Sequence, residues 1–283
     1  MAKIKHGPIG VFDSGYGGIS VLANLIESMP GESFVFLSDS KNAPYGELEP
    51  EEVLNHTITN VEILNSQAVN AVVIACNTAT SAAVQTLRSK YSFPIIGMEP
   101  AVKPAVNKTG SGRVLVAATD LTLKEKKFAS LIESIDHQNE IISLPCIGLV
   151  DKIEEHGPES PEVDQKIDEL LEPYRSLNFD GVVLGCTHYV LVKDKWRSKF
   201  SSDTVIYDGN DGTVRQTIRM LKYYKQVISN CPPARVCIMD SSQNDDRLVQ
   251  CKKLLMNQLE INKKIFMDQL HIELRKTDEL CRF

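Results

Sequence analysis

The chain has 283 residues, 42% apolar and 24% charged, with a net charge of −6 and a pI near 5.6. This is the make-up of a globular protein long enough for two domains, each able to bury its own core. The acidic balance argues against nucleic acid as a partner, no run of about 18 uncharged apolar residues is present to span a membrane, and the N-terminus MAKIKHGPIGVFDSG lacks the apolar segment of an export signal, so a cytoplasmic protein is expected.

A buried strand is predicted from Ile9 to Phe12, running into Asp13-Ser14-Gly15-Tyr16-Gly17-Gly18 and then a helix to about Ser28. A second strand, Ser33–Leu37, ends at Ser38-Asp39 and leads into a loop with Pro44-Tyr45-Gly46. From about Pro50 to Ser66, Leu54, Ile58, Val61 and Leu64 recur every three or four residues, which places them on one face of a helix. The strand Ala71–Ala75 carries Cys76 at its end, an Ala- and Thr-rich helix follows, and Phe93–Gly97 is the next strand.

The pattern then restarts. Arg113–Ala117 is a strand ending in Ala118-Thr119-Asp120, and the next helix contains Leu131-Ile132-Glu133-Ser134, a copy of Leu25-Ile26-Glu27-Ser28. A strand near Ile141–Leu144 precedes a helix holding Glu154, and a charged helix over 161–176 leads into the strand Gly181–Gly185 and Cys186. Thr204–Tyr207 mirrors Pro94–Gly97. After Asp208-Gly209-Asn210-Asp211-Gly212 the spacing predicts a helix over Thr213–Ser229, a strand over Ala234–Met239 and a helix from about Asp245, a segment expected to cross back to the first unit. Within residues 257–283, Asp268–Leu274 reads equally as a terminal strand, more helix or a solvated amphipathic face.

Strands alternating with helices predict an α/β fold with mostly parallel sheets. The repeat predicts two similar domains related by a pseudo-twofold axis, with the active site in the cleft between them. The boundaries expected are 1–98 plus 211–283 for the first domain and 99–210 for the second.

The repeat is sharpest at VVIACNT (72–78) and VVLGCTH (182–188), whose cysteines lie 110 positions apart (186 − 76). Ligands of open parallel sheets bind beyond the carboxyl ends of the strands. Asp13, Ser14, Asp39, Cys76, Asn77, Thr78, Thr119, Cys186, Thr187 and His188 all fall at such ends. Two thiols facing each other across a cleft suit removal of a proton from one face of a carbon and its return to the other. A helix N-terminus favours thiolate, useful for a group that is a few per cent ionised near pH 7.

The rival reading, cysteine as a small buried hydrophobe, fits Cys237, Cys251 and Cys146. The seven cysteines are odd in number, contain no CxxC and form no zinc-type cluster with histidine, so reduced thiols are expected. His188 can relay a proton to Cys186 or cap its helix. Asp13 can assist Cys76, hold an ammonium, or cap the helix after it, as Ser14 can. Glu154 has Glu155 beside it and reads by default as part of a charged helical face. Gly15, Gly17 and Gly18 suggest close approach of the backbone to an anion such as a carboxylate. They do not form a dinucleotide fingerprint, because Ser20 stands where the third glycine belongs. No HExxH, Walker or GxSxG motif is present, and the polar residues at the strand ends suit a carboxylate and an ammonium, not a metal.

Taken together, FDSGYGG (12–18), SDSKNAPYG (38–46), ACNTAT (75–80) and GCTHY (185–189) closely resemble the glutamate racemases of the wider aspartate/glutamate racemase family. The resemblance implies a cofactor-independent isomerase of two α/β domains, often dimeric, that supplies D-glutamate for peptidoglycan synthesis. It implies Cys76 and Cys186 as the acid/base thiols, the first acting on D-glutamate and the second on L-glutamate. Asp13 would support Cys76, and His188 and Glu154 would support Cys186. Substrate would contact Asp13, Ser14, Pro44, Tyr45, Gly46, Asn77, Thr78, Thr119, Thr187 and His188. The chain departs from the family where Val190-Leu191-Val192 follows GCTHY in place of Pro-Leu-Leu, at Leu121, at Asp208-Gly209-Asn210 and in its C-terminal tail. The alternatives are a racemase for aspartate or another amino acid, a thiol hydrolase built on Cys186 and His188, and a two-domain protein that clamps a small anion without turnover.

Overall fold

The structure is a computed structural model that describes residues 7–135, 139–224, 235–262 and 270–281. The first stretch contains β1 (Ile9–Asp13), α1 (Ile19–Ser28), β2 (Phe34–Ser38), α2 (Pro50–Ser66), β3 (Ala71–Ile74), α3 (Asn77–Lys90) and β4 (Ile95–Gly97). Next come α4 (Val102–Thr109), β5 (Arg113–Ala118), α5 (Asp120–Lys124), α6 (Lys126–Glu133), β6 (Glu140–Pro145), α7 (Leu149–His156), α8 (Pro161–Leu171), β7 (Gly181–Leu184), α9 (Thr187–Leu191), α10 (Lys193–Ser198) and β8 (Val205–Asp208). The chain closes with α11 (Asn210–Tyr223), β9 (Arg235–Asp240), α12 (Asp245–Asn262) and β10 (His271–Lys276).

Two sheets result, ordered β10-β9-β2-β1-β3-β4 and β6-β5-β7-β8, and every strand pairing among the described residues is parallel. The strand order second-first-third-fourth occurs in both, so the repeat visible in the sequence is a repeat of topology. β1 and β3 are buried along their whole length, as expected of central strands covered by helices on both faces. In each unit the first and third strands are neighbours while the chain leaves them in opposite directions across the sheet. Their carboxyl ends therefore border a crevice. Asp13 and Cys76 stand there in the first sheet, Thr119 and Cys186 in the second.

Local chemistry sets the helix starts. α2 opens with Pro50 and a reciprocal capping box between Glu49 and Glu52. Cys76 is itself the N-cap of α3, its sulfur accepting the Ala79 N–H at 3.4 Å, and Thr119 caps α5 through the Thr122 N–H. One apolar cluster runs through the faces of both sheets, from Ile9 and Val11 to Leu115 and Val182, and includes α1, α7, α9 and α12. The crevices thus face each other across a packed core, with the 3-10 turn Tyr16–Gly18 lying against α9.

At the end of the chain one open reading is decided and one expectation is corrected. His271–Lys276 is a strand parallel to β9, which joins the first sheet beside β2; Asp268 and Gln269 of the expected segment lie outside the described residues, as does the 225–229 portion of the helix expected after Gly212. The expectation of reduced thiols throughout is also corrected, because Cys237 of β9 is disulfide-bonded to Cys281. These residues are 44 positions apart, and no local spacing marks them as partners; the return of β10 along β9 brings them together. Gln67 adds a second tie, donating to the Glu279 carbonyl at 3.0 Å and accepting from the Cys281 N–H at 2.8 Å. A loop of this size gives a disulfide about 2–4 kcal/mol of stabilisation. Cys281→Ser is expected to lower the unfolding free energy in urea by that amount, and addition of a reductant should lower the parent chain's stability but not the variant's.

Candidate active site

Residues of the two crevices line one small cavity, with a volume of about 10 Å³. The first sheet lines it with Ser14, Pro44, Tyr45, Gly46, Cys76, Asn77 and Thr78; the second contributes Thr119, Gly185, Cys186, Thr187 and His188, with Val150 of α7 closing one side. Of the site residues singled out from sequence, Asp13, Asp39 and Glu154 are absent from the wall. Each is hydrogen-bonded to a residue that lines it: Asp13 to Thr187, Asp39 to Tyr45 and Glu154 to His188.

Asp13 is fully buried. Its carboxylate accepts the N–H groups of Gly18 at 2.9 Å and Gly15 at 3.3 Å, and the Thr187 hydroxyl of the opposite sheet at 3.2 Å. The glycine loop therefore cradles a carboxylate, but it is the chain's own, which corrects the expectation of an external anion there. The glycines answer to close packing. A Cβ on Gly17 would lie 2.6 Å from both His188 Nδ1 and Thr187 Oγ1, and one on Gly15 would lie 2.3 Å from Glu154 Oε1. Asp13 and Cys76 have different hydrogen-bond partners: the thiol bonds Ser14 Oγ at 3.5 Å and accepts from Ala79.

Burial pushes the Asp13 carboxyl up to about 6, against the nearby His188 charge and the N–H and hydroxyl donors that lower it. Between the ordinary aspartate value and about pH 6 the folded chain holds a proton that the unfolded chain has lost. Stability from this group therefore falls as pH rises through that window and is lowest above it. Asp13→Asn removes the buried charge and is expected to stabilise the fold at pH 7 by about 3 kcal/mol, an advantage that should vanish near pH 4. Equal gains at both pH values in denaturant melts would contradict a buried, strained carboxylate.

On the other side, His188 is buried and its ring spans two partners. Nδ1 lies 3.9 Å from Cys186 Sγ and Nε2 lies 2.6 Å from Glu154 Oε1. Burial lowers the His188 pKa, but the hydrogen bonds to Cys186 and Glu154 outweigh it and hold the ring well above its ordinary value, as an imidazolium donating to both. Burial raises Glu154, yet the bonds and charges of His188 and Arg247 win and hold it below the usual carboxylate range. The default view of Glu154 as a solvated face is corrected: its side chain is 9% exposed while that of Glu155 is 61% exposed.

Cys76 is set differently. Burial, and then the Asp13 charge, push its thiol up to about 12, against the Ser14 and Ala79 hydrogen bonds, so it rests protonated. On the wall of the same cavity, the buried Asn77 amide has neither its nitrogen nor its oxygen hydrogen-bonded. Such a group costs free energy unless something fills the cavity and satisfies it. Tyr45 lines the cavity, and its hydroxyl donates to Asp39 at 2.5 Å. Thr78 and Thr119 form a hydroxyl triangle with Thr122, 2.9–3.0 Å on each side, which ties α3 to α5.

Arg247, absent from the residues singled out above, bonds Glu154 Oε2 from α12. It shares a helix face with the buried Cys251, Leu254 and Leu255, and a cation on an apolar face was the signal available. Among the described residues no cluster of His, Cys, Asp or Glu has a metal-holding arrangement, and no helix is long and apolar enough to cross a membrane.

Paired strand-end thiols on one cavity in a duplicated parallel α/β fold point to a class, that of amino-acid racemases which use side-chain acids and bases. The family model described as Asp/Glu/Hydantoin racemase matches residues 14–217, and the chain belongs to that family. The glutamate racemase of Clostridium perfringens is 42% identical over 253 residues, 89% of this chain and 97% of that protein. The crystal structure of a glutamate racemase isoform from Bacillus anthracis superposes with a TM-score of 0.81 at 25% identity, covering 96% of this chain and 98% of that one. The Escherichia coli glutamate racemase, solved with L-glutamate and the activator UDP-MurNAc-Ala, has the same fold, with a TM-score of 0.81 at 24% identity over 95% and 98% of the two chains.

Proposed function

We propose that the chain is a glutamate racemase that interconverts L- and D-glutamate by proton transfer between Cys76 and Cys186, with no cofactor. The observation that carries this is the placement of the two thiols at equivalent ends of β3 and β7, both on one cavity that also holds the unsatisfied Asn77 amide. The two domains of the proposal are 1–98 plus 211–283 and 99–210, supported by the return of β9 and β10 to the first sheet. Relatives of this name over nearly the full length favour glutamate as the substrate. The same likeness leads us to place the protein in the cytoplasm, as a homodimer feeding cell-wall synthesis.

With L-glutamate bound, Cys186 as thiolate takes the α-proton and the C–H electron pair moves into the carboxylate. Cys76 as thiol then donates its proton to the opposite face. The reverse transfer converts D-glutamate. The ring of His188 lies beside the Cys186 sulfur, and burial keeps the Cys76 thiol protonated, loaded as the acid. For the reverse direction Cys76 must ionise, and the ammonium of a bound amino acid supplies the neighbouring positive charge that lowers a thiol's pKa. One general acid or base contributes on the order of 10²–10⁴-fold. The remainder must come from fixed donors around the developing charge and from exclusion of water, which the buried walls favour. Purified protein incubated with L-glutamate in deuterated water, without additives, should lose its optical signal toward zero while product gains deuterium at the α-carbon. An unchanged circular dichroism signal would refute the assignment.

A further inference from the structure

We propose that Arg247 is a positioning residue for the Cys186 half of the site: by holding the Glu154 carboxylate it fixes the charge and orientation of His188, which makes α12 part of the machinery that sets the thiol on the opposite sheet. The inference rests on the racemase reading and assigns a role to a residue that touches neither thiol.

The contacts form one line. Cys186 Sγ meets His188 Nδ1, His188 Nε2 meets Glu154 Oε1, and Glu154 Oε2 meets Arg247. Glu154 Oε1 also accepts the Tyr16 N–H at 3.2 Å, so Oε1 has two donors and Oε2 depends on Arg247. The carboxylate is almost fully buried, and a buried charge stripped of one partner is strongly unfavourable. Arg247 has a second fixed contact, its guanidinium lying 5.9 Å from the centre of the Tyr16 ring. The Tyr16 hydroxyl is in turn bonded to the Ile153 carbonyl, next to Glu154. A planar cation fits between a ring and a carboxylate as an ammonium does not. The missing side chain of Gly15 is an independent sign that this space is reserved, since a Cβ there would lie 2.3 Å from Glu154 Oε1 and 2.9 Å from His188 Nε2.

The groups facing this pair are spread over several elements. His188 is met by Cys186 at the N-cap of its own helix, by Asp13 from β1 and by Glu154 from α7. Glu154 is met by Arg247 and Cys251 from α12, and Arg247 is met by Asp240 from β9. Removal of the guanidinium leaves Glu154 with a single cationic partner. It then takes up a proton at higher pH, and once neutral it no longer holds the imidazolium.

The two enantiomers have equal free energies in water, so any variant must have the same kcat/KM in both directions. An effect confined to the Cys186 half must therefore appear as matched changes of kcat and KM that differ between L- and D-glutamate. Arg247→Met and Arg247→Lys are the variants to compare with the parent chain, over pH 5–9, by racemisation in both directions and by NMR titration of the His188 ring. For Arg247→Met we expect kcat/KM to fall on the order of 10–100-fold, with its acid limb moved toward neutral pH. The titration step of Glu154 sensed at the His188 ring should move up with it. Arg247→Lys should restore the acid limb and only part of the rate. An Arg247→Met protein with parental rates, or one that is slower with an unmoved acid limb and an unmoved His188 titration, overturns the proposal in favour of a purely structural contact. Should Arg247→Met fail to fold, an Arg247→Lys protein with the full parental rate overturns it equally. If the parent chain does not racemise glutamate, the functional reading fails, while the His188 titration still decides the coupling to Arg247.

Discussion

Replacing Cys76 or Cys186 with serine will abolish interconversion of the glutamate enantiomers while leaving the fold intact. Both sulfurs sit in the cavity wall and replacement by oxygen changes volume little, so stability should shift by a small fraction of the total. A hydroxyl ionises far less readily than a thiol and is a much weaker acid and base near neutral pH. The loss in kcat should be at least on the order of 10²–10⁴-fold for either position. The two variants are distinguishable by isotope exchange. Cys76→Ser retains the base that faces the α-proton of L-glutamate, and Cys186→Ser the base that faces that of D-glutamate. Any residual uptake of deuterium without inversion should therefore favour opposite enantiomers. A single variant with near-parental turnover would leave only one thiol in the chemistry and favour a hydrolase-like pairing of Cys186 with His188.

Gly17→Ala should be nearly as damaging, although residue 17 bears no functional group. The added methyl would meet His188 Nδ1 and Thr187 Oγ1 at 2.6 Å and the backbone nitrogen of His188 at 2.7 Å. A backbone atom cannot rotate away, so the start of α9 must move, and Cys186 with it. Displacement of an acid/base group by about 1 Å costs on the order of 10²-fold, and the loss should fall mainly on kcat. Gly212→Ala is the control: it lies in α11, a Cβ there meets nothing within 4 Å, and the change should be neutral or stabilising by about 0.5–1 kcal/mol. Equal tolerance of alanine at positions 17 and 212 would show that the contact between the glycine loop and α9 does not set the geometry of the site.

Much of this molecule was legible in one dimension. The alternation of strands and helices, the parallel sheets and the duplication followed from apolar runs ending in small and polar residues at matched intervals. That signal is strong because a strand buried on both faces is apolar throughout. The positions of Cys76, Asn77, Thr78, Cys186 and His188 followed for the same reason, since a strand end in such a sheet opens onto the crevice. Other features were settled by contacts between residues far apart in the chain. Glu154 and Glu155 are chemically alike and adjacent, and only the packing of α7 against the glycine loop distinguishes them. The glycines announced a close approach, but not that the approaching groups are His188 and Glu154. Arg247 and the partner of Cys237 were hidden because side chains 93 positions apart, or thiols 44 apart, are joined by the return of the C-terminal segment to the first sheet. Local patterning is dictated by backbone hydrogen bonding and burial, which act over a few residues. The charge states of the site come from desolvation and from partners that only the packed chain brings within reach.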